Sequence, residues 1–420
     1  MECDSLGAAF ETDQTPQSFL LRRKLVLAHS KGVWMGFAKR TNHLAPEGAY
    51  QVLAKAGQLE AAGKKIIHFE IGQPDYETFS NVSLAGIKAI AEGKTRYTDP
   101  AGIPPLREVI AEDIGRRRGI TIHPDEVIVS PGGKPNLFFP TLALVEPGDE
   151  VIYPNPGFPT YEAMIGVAGG VPVPVPLLEE NSFSFDLEAF DKLINRRTKL
   201  IILNSPSNPT GGVIPGRDLE HIAEQAKRFD CWVMSDEIYA RIAYDGLRVS
   251  SIASLPGMKE RTIIVDGFSK TYSMTGWRLG FGIMPKELAA RVGLLLTHSL
   301  GSTAHFTQFA GLEAIVGPQD MVDRMVTEYE RRRNVIVDGL NRIPGFTCKK
   351  PQGAFYVFPN TKGTGMTSNQ LANLILEKAG VALLPGSSFG EYGEGYLRLS
   401  YATSIPVIEQ GLERIRAALA

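Results

Sequence analysis

Four segments of the sequence place reactive or flexible residues directly after a run of apolar residues. An amide, a carboxylate with a phenol, an amine and a glycine pair follow these runs: Asn208, Asp236 with Tyr239, Lys270, and Gly132 with Gly133. A lysine that is desolvated among apolar and hydroxyl side chains has a lowered pKa and can form a Schiff base with a carbonyl compound. Two glycines at a helix start expose backbone N–H groups, which suits a phosphate. If these four segments lie at the same edge of one β-sheet, their residues form a single site.

The glycine segment narrows the kind of phosphate ligand. Residues 130–134 read Ser-Pro-Gly-Gly-Lys, which is neither a Gly-x-Gly-x-x-Gly motif nor a Walker loop. A dinucleotide and a nucleoside triphosphate are therefore disfavoured, and an ordinary tight turn is the alternative interpretation of the glycines taken alone. Arg278, at the start of the next predicted strand, supplies a planar cation for a phosphate.

The order of predicted strands and helices explains how these segments meet. Strands are predicted at 126–129, 150–153, 171–175, 199–203, 232–234, 262–266 and 278–283, with helices at 136–145 and 217–229 among them. Such alternation is typical of a largely parallel sheet covered by helices on both faces. Because such sheets bind ligands at the carboxyl ends of their strands, we expect the four segments at one edge.

The length of the chain and its periodicity predict the domain organisation. The 420 residues allow two domains with hydrophobic cores. We predict an α/β fold with a large domain over 81–310 and a smaller α+β domain built from 35–80 and 311–420. Residues 1–34 are mostly polar without a convincing period, and they are predicted to form an N-terminal extension.

The charge balance disfavours several classes of partner. The chain has 44 Lys and Arg residues against 46 Asp and Glu residues, a formal charge of −2. This balance provides no net positive potential that would attract nucleic acid or an anionic membrane surface. No apolar run approaches the roughly 20 residues that span a bilayer. We therefore expect no nucleic-acid partner and no membrane partner.

Cysteine and histidine usage bears on the compartment and on metals. Cys3, Cys231 and Cys348 lie far apart, which is typical of a reducing compartment rather than of a disulfide framework. The histidines and cysteines form no cluster with ligand spacing, so no metal site is expected. The N-terminus lacks the basic start and apolar core of a signal peptide, and a cytoplasmic protein is predicted.

The lysine segment carries a specific family resemblance. Residues 267–280 read Gly-Phe-Ser-Lys-Thr-Tyr-Ser-Met-Thr-Gly-Trp-Arg-Leu-Gly and resemble, at every defined position, the lysine signature of the class I and II aminotransferases. The resemblance extends in order over about residues 44–415. It implies fold type I of the pyridoxal-phosphate-dependent enzymes, with a mostly parallel seven-stranded sheet between helices in the large domain. It also implies pyridoxal 5'-phosphate as the cofactor.

The resemblance implies a role for each residue of the site. Lys270 would hold the cofactor as an internal aldimine and later move the proton that leaves Cα of the substrate. Asp236 would pair with the pyridine nitrogen, and Asn208 and Tyr239 would hydrogen-bond the phenolic oxygen. Lys270, Asp236 and Tyr239 are thus the expected catalytic residues. The residues expected around the phosphate or against the ring are Gly132, Gly133, Lys134, Phe158, Ser269 and Arg278.

Substrate and subunit contacts follow from the same resemblance. Arg398, within Tyr-Leu-Arg-Leu-Ser-Tyr, corresponds to the arginine that binds the substrate α-carboxylate, and the backbone of Gly72 approaches the same group together with Asn208. Tyr97 corresponds to a tyrosine that reaches the phosphate of the neighbouring subunit, so a homodimer is implied. The expected substrates are an L-amino acid and a 2-oxo acid.

Two departures from the family pattern affect the phosphate contacts and the substrate. Gly267 stands where some members have a serine that donates to the phosphate. Lys134 corresponds to a lysine that meets the distal carboxylate in one bacterial aspartate-using branch. The segment 45–49 lacks the small hydroxyl residues that assist it there, and Glu47 would repel an acidic substrate. The sequence therefore does not indicate aspartate as the donor.

The core residues are compatible with two kinds of reaction. An aminotransferase would work by a ping-pong mechanism. A β-eliminating carbon–sulfur lyase, or a decarboxylating or oxidative enzyme of a specialised biosynthetic pathway, would need the same core residues. The products distinguish them, since elimination gives pyruvate and ammonia without an acceptor. A regulator that fuses this fold to a DNA-binding domain is disfavoured, because no helix-turn-helix pattern precedes the fold.

Overall fold

The computed structural model describes residues 36–41 and 44–420. Its contacts divide the chain into the units Met1–Asn42 and His43–Ala420. The described part of the first unit contains one 3-10 turn, Lys39–Thr41. The predicted N-terminal extension 1–34 lies outside the described residues. The predicted boundaries between a large and a small domain within the second unit stay a prediction.

The second unit alternates strands and helices along most of its length. The strands are β1 Ile67–His68, β2 Val127–Ser130, β3 Glu150–Asn155, β4 Val171–Leu178, β5 Ser184–Phe185, β6 Thr198–Asn204, β7 Trp232–Asp236, β8 Thr262–Gly267, β9 Gly280–Ile283, β10 Tyr356–Val357, β11 Val381–Ala382, β12 Leu384–Pro385 and β13 Leu397–Ser400. The helices are α1 Gly48–Ala61, α2 Ser80–Ala91, α3 Pro104–Arg118, α4 Lys134–Leu144, α5 Thr160–Ala168, α6 Leu187–Leu193, α7 Gly216–Arg228, α8 Phe268–Thr271, α9 Lys286–Thr297, α10 His305–Val316, α11 Asp320–Leu340, α12 Ser368–Leu374 and α13 Ile405–Leu419.

A mostly parallel sheet forms the centre, in the order β2-β9-β8-β7-β6-β3-β4-β5. Strands β3, β4, β6, β7 and β8 are parallel, whereas β9 is antiparallel to both of its neighbours. The predicted α/β fold is confirmed, but the count of seven strands is wrong by one. The eighth strand is β5, a two-residue antiparallel edge strand that follows two residues with left-handed backbone.

Apolar residues bury both faces of this sheet. In β6, Leu200 and Ile202 pack in one core cluster, and Ile201 and Leu203 pack in another. Side chains alternate between the faces of a strand, so the continuous apolar run predicted a strand with helices on both sides. The carboxyl ends of β2, β6, β7 and β8 consequently lie at the same edge.

The strand predicted at 278–283 begins later than expected. Arg278 has a φ of 55°, in the left-handed region that is incompatible with a strand. Strand β9 therefore begins at Gly280. Its first residue packs directly on the glycine turn after β2, where a Cβ on Gly280 would lie 2.5 Å from the carbonyl carbon of Gly132.

Two smaller sheets complete the unit. Strand β1 pairs in parallel with β11, and β13 pairs antiparallel with β10 on one side and β12 on the other. Arg398 lies on β13, opposite Leu384. Within the described residues, no helix is long and apolar enough to cross a membrane, and no three His, Cys, Asp or Glu side chains could share a metal ion.

A buried carboxylate lies at the end of β8. The Asp266 carboxylate accepts a hydrogen bond from the Gly267 N–H at 2.6 Å. Burial raises the pKa of Asp266 from 3.8 to about 7, although this hydrogen bond and the charge of Arg118 oppose the rise. Because the folded pKa is raised, the protonated form stabilises the fold. This contribution is complete below about pH 4 and is lost as the pH rises through about 7.

Asp266→Asn is expected to stabilise the protein at pH 8 and to change its stability little at pH 4. The amide keeps the shape of the side chain and removes the buried charge. We expect a rise in melting temperature of about 5 °C at pH 8, measured by calorimetry. Asp323→Asn, at an exposed aspartate, serves as the control. An equal difference in melting temperature between wild type and Asp266→Asn at both pH values would contradict the raised pKa of Asp266.

Candidate active site

The amine of Lys270 lies at the centre of the sheet edge. Helix α8 carries it one turn after β8, and its Nζ donates a hydrogen bond to the Gly72 carbonyl oxygen at 2.5 Å. The ring centroids of Tyr239 and Phe355 lie 6.0 and 5.8 Å from Nζ. Burial, together with the charges of Arg398 and Arg278, lowers the pKa of Lys270 to about 8. At neutral pH a useful fraction is therefore a free, nucleophilic amine.

The carboxylate of Asp236 ends strand β7 and is buried. Its Oδ2 accepts a hydrogen bond from the Tyr161 hydroxyl at 2.7 Å, and its Oδ1 accepts one from the Ile238 N–H at 3.3 Å. Burial raises the pKa of Asp236 to about 6, and these two hydrogen bonds oppose the rise. The group is thus a buried carboxylate in a fixed orientation, suited to an N–H⁺ partner. Tyr161 was not predicted from the sequence, because nothing in its local pattern distinguishes it from a core residue.

The phenol of Tyr239 meets a second phenol. The hydroxyls of Tyr239 and Tyr356 are 2.7 Å apart, and both side chains are buried. Burial raises the pKa of Tyr239 well above its usual range, so this hydroxyl remains a hydrogen-bond donor at neutral pH. A Cβ on Gly72 would lie 2.2 Å from the Tyr356 hydroxyl, which explains why glycine occupies that position. Tyr356 was not among the residues predicted from the sequence.

The amide of Asn208 connects the loop after β6 to the arginine of β13. Its backbone N–H donates to Asn204 Oδ1 at 2.8 Å, and its side-chain oxygen accepts from Arg398 Nη1 at 3.3 Å. Asn204 in turn donates to the Asp236 carbonyl oxygen at 3.0 Å. These contacts link the ends of β6 and β7, so the predicted neighbours Asn208 and Asp236 belong to one hydrogen-bonded network.

The glycine turn after β2 contacts the Arg278 guanidinium. Gly132 has a φ of 84°, and a Cβ there would lie 2.3 Å from Arg278 Nη2, so only glycine permits this approach. The turn is held by the Ser130 hydroxyl, which donates to the Gly132 carbonyl oxygen at 2.6 Å. Gly133 precedes the first turn of α4. An exposed cation beside the N-terminus of an 11-residue helix is suited to an anion.

Gly267 and Ser269 lie on either side of Phe268, where β8 passes into α8. A Cβ on Gly267 would lie 2.9 Å from the Cα of Gly280, because β9 passes close at this point. This contact is a physical reason for glycine at the position where some members of the resembled family have serine. Ser269 is partly exposed and directly precedes Lys270 on the same helical turn.

Lys134 and Phe158 lie together at one side of the site. Lys134 Nζ is 5.3 Å from the Phe158 ring centroid and forms an ion pair with the Glu47 carboxylate. The Phe158 ring packs edge-on against Tyr161, with centroids 5.7 Å apart. The aromatic pair thereby joins Lys134 to the side chain that holds Asp236.

Arg398 is buried, with 4% exposure, and is only partly satisfied. Its Nη2 donates to the Glu70 carbonyl oxygen, its Nη1 donates to Asn208, and its guanidinium carbon lies 4.6 Å from the Tyr356 ring centroid. Its buried Nε has no hydrogen-bond partner among the residues that the structure describes. A buried charged donor without a partner is costly, and a carboxylate would satisfy it.

A pocket opens beside Arg398. Its lining includes Glu47, Phe158, Asn208, Leu384, Phe389 and Arg398. Tyr97 is 96% exposed on the surface of this chain, in the loop between α2 and α3. Its predicted contact with a neighbouring subunit stays a prediction, as do the individual roles of the site residues.

Comparison with known proteins identifies the family. Residues 64–415 match the family model described as aminotransferase class I and II. The chain is 41% identical to the aspartate aminotransferase of Geobacillus stearothermophilus, over 91% of this chain and 98% of that protein. It is 38% identical to aromatic-amino-acid aminotransferase 2 of Thermococcus litoralis, over 84% of this chain and 92% of that protein.

The fold agrees with this assignment. The structure of the Thermus thermophilus aspartate aminotransferase with maleate matches with a TM-score of 0.88 and 38% identity, over 92% of this chain and 100% of that one. The range 64–415 that matches the family model includes the elements that carry Lys270, Asp236 and Arg398. The chain therefore belongs to the class I and II aminotransferases and is a pyridoxal-phosphate-dependent enzyme of fold type I.

Proposed function

We propose that this enzyme transfers the amino group of an L-amino acid to a 2-oxo acid by a ping-pong mechanism, with Lys270 as the central catalytic residue. The observation that carries the proposal is the meeting of three groups at one sheet edge. These are an amine with a lowered pKa, a buried carboxylate and a buried guanidinium with an unpartnered Nε: Lys270, Asp236 and Arg398.

The residues present fit pyridoxal 5'-phosphate. Lys270 would bind its aldehyde carbon, Asp236 its pyridine nitrogen, and Tyr239 and Asn208 its phenolic oxygen. The close approach of Arg278 to Gly132, which any Cβ would block, leaves a cradle of cation and backbone suited to its phosphate. The remaining residues that would hold it are Gly133, Lys134, Phe158 and Ser269. When bound, the cofactor supplies an electron sink for the charge that develops on the substrate Cα.

Lys270 is suited to move the proton of the donor. Its Nζ can accept a proton near neutral pH, because burial and the positive charges of Arg398 and Arg278 lower its pKa to about 8. Efficient acid–base catalysis requires a pKa near the working pH. The hydrogen bond to the Gly72 carbonyl oxygen keeps the amine near Arg398, where the Cα of a bound amino acid would lie.

Arg398 would orient the donor by its α-carboxylate. Its Nη1 and Nη2 are bonded to Asn208 and Glu70, which fixes the plane of the guanidinium. Stacking on Tyr356 restricts the plane further. The N–H of the unpartnered Nε therefore has a fixed direction in which it can donate to the α-carboxylate. Burial excludes the water that would weaken this hydrogen bond.

Product analysis tests the proposed reaction. The cofactor-loaded protein is incubated with single amino acids, with and without 2-oxoglutarate or pyruvate. Without an acceptor, at most about one equivalent of 2-oxo acid per site is expected, and turnover should require the acceptor. Continuous release of pyruvate and ammonia without an acceptor would contradict transamination and favour the β-eliminating alternative.

The proposal includes a homodimer. Helix α2 buries Gly86 against Trp277 and Ala310, and beside this buried side it exposes an apolar stripe. The stripe consists of Leu84, Ile87 and Ile90, which are 63%, 62% and 51% exposed. An apolar helix face of this kind, followed along the chain by the exposed Tyr97, supports burial against a second copy.

Ile87→Glu is expected to dissociate the dimer, because a charge would be buried without a partner. The dimer dissociation constant should rise at least about 100-fold, as measured by analytical ultracentrifugation. Ile87→Val keeps the apolar surface and should remain dimeric. A wild-type monomer, or a dimer unaffected by Ile87→Glu, would contradict this interface.

We further propose a cytoplasmic location. Cys231 and Cys348, the two cysteines within the described residues, are buried free thiols, which supports a reducing compartment. Cell fractionation with antibody detection tests it, and recovery of the protein outside the cytoplasmic fraction would contradict it.

A further inference from the structure

The lining of the pocket beside Arg398 includes a second charged residue, Glu47, whose partner Lys134 lies next to Phe158 of the same lining. Glu47 lines this pocket, and its carboxylate forms an ion pair with Lys134 Nζ. Lys134 is also held 5.3 Å from the Phe158 ring centroid. A carboxylate and an aromatic face thus both interact with the charge of Lys134. The cation of this pair is compensated within the protein, unlike the Arg398 Nε.

The position of Glu47 is fixed by its neighbours. Glu47 directly precedes α1, and its carbonyl oxygen accepts a hydrogen bond from the Tyr50 N–H at 3.1 Å. A Cβ on Gly48 would lie 2.5 Å from the Ser388 hydroxyl, so the start of α1 lies tightly against the turn 386–389. These contacts fix the Glu47 backbone beside the pocket, and its side chain, paired with Lys134, remains 27% exposed.

The rest of the pocket provides little for a charged side chain. Phe158, Leu384 and Phe389 contribute apolar surface to its lining. Arg398 provides the one incompletely satisfied charged donor that the described part of the chain places there, and a substrate α-carboxylate would occupy it. A second carboxylate on the substrate would meet the negative charge of Glu47 and a lysine that is already paired. Juxtaposed like charges disfavour the wrong partner strongly.

We propose that Glu47 is a specificity-determining residue that selects amino donors with neutral, apolar side chains against dicarboxylic donors. This inference rests on the proposed function, since it assigns the side-chain pocket of the same reaction. Glu47 acts in two ways: it repels a distal carboxylate, and it neutralises Lys134, the cation that such a carboxylate would need. The class of donor follows from the pairing and from the apolar lining.

Half-reaction kinetics test the proposal. The cofactor-loaded enzyme is mixed with leucine or with aspartate alone, and the change in cofactor absorbance is followed. Wild type is expected to favour leucine over aspartate in rate per concentration by at least about tenfold. Glu47→Gln, which keeps the shape and removes the charge, should shift this ratio toward aspartate by about tenfold. Glu112→Gln, an exposed glutamate on α3, should leave the ratio unchanged.

A double-mutant cycle separates repulsion from the release of Lys134. If Glu47→Gln acts mainly by freeing the lysine, its gain should disappear in a Lys134→Met background. Binding of maleate, a dicarboxylate without an amino group, gives a readout that needs no turnover. Its dissociation constant should fall about tenfold in Glu47→Gln and return toward the wild-type value in the double variant.

The outcomes distinguish this inference from the proposed function. A wild-type preference for aspartate over leucine would overturn the inference and leave transamination intact. An unchanged donor ratio and unchanged maleate binding in Glu47→Gln would do the same. If no amino acid reacts with the wild type, the proposed function fails, and maleate binding still decides the role of Glu47.

Discussion

Lys270→Ala is expected to abolish transamination, with a loss of at least about 10⁴-fold in turnover. The substitution removes the amine that binds the cofactor aldehyde and moves the substrate proton. The protein should also lose the visible absorbance of the bound cofactor. Steady-state assays and absorption spectra of the purified variant measure both effects.

The matched control is Lys286→Ala, which removes a half-exposed lysine on α9. It should keep the wild-type spectrum and activity. Circular dichroism is expected to show the same secondary structure in both variants, because each substitution shortens one side chain and alanine is compatible with a helix. Substantial turnover by Lys270→Ala at the wild-type spectrum would contradict the assignment of Lys270.

Arg398→Lys is expected to lower kcat/KM for amino acid donors by about 10²- to 10³-fold. In the wild type, Nη1 and Nη2 of Arg398 bond Asn208 and Glu70, which leaves Nε for a carboxylate. Lysine keeps the positive charge, but its single ammonium group cannot make all of these contacts in the same plane. Because the α-carboxylate is bound in both ground state and transition state, much of the loss should appear as a raised KM.

A donor that lacks the carboxylate provides an internal control for this variant. The amine corresponding to a good amino acid donor should react slowly with the wild type and equally slowly with Arg398→Lys. Arg416→Lys, at an exposed arginine on α13, controls for the substitution itself. A parallel loss of activity toward amine and amino acid would indicate a structural role for Arg398.

The sequence predicted the sheet and most of the central residues because both depend on local pattern. Continuous apolar runs such as 199–203 require burial on two faces, which a parallel sheet between helices provides. Once the strands are parallel, residues at their carboxyl ends meet. Asn208 and Asp236 accordingly share one hydrogen-bonded network, as the strand order indicated.

Other residues of the site depend on contacts that no local pattern reports. Tyr356 lies 117 residues from Tyr239 in the chain, yet the two hydroxyls are 2.7 Å apart. The hydroxyl of Tyr161, on helix α5, donates a hydrogen bond to the Asp236 carboxylate. In the sequence, neither tyrosine differs from an ordinary aromatic residue of the core. Only the tertiary fold brings each hydroxyl to the site.

Backbone conformation accounts for the remaining differences. The left-handed φ of Arg278 delays β9, although the arginine still reaches the glycine turn. Left-handed residues at 182 and 183 reverse the chain and add the edge strand β5. Non-glycine residues rarely adopt such conformations, so residue type alone did not predict them.

The pocket shows how the structure sharpened a sequence prediction. Lys134 and Glu47 were both candidates near the substrate, with opposite preferences for an acidic side chain. The structure pairs them with each other. The two charges thereby compensate each other beside the pocket, which supports the proposed selection of neutral donors.

The central claim is that the amine of Lys270 binds the cofactor. The most direct test reduces the yellow, cofactor-loaded protein with borohydride, digests it, and locates the attached pyridoxyl group by mass spectrometry. We expect the group on the peptide that contains Lys270, at about one equivalent per chain. Attachment to another lysine such as Lys134, or no attachment, would contradict the account.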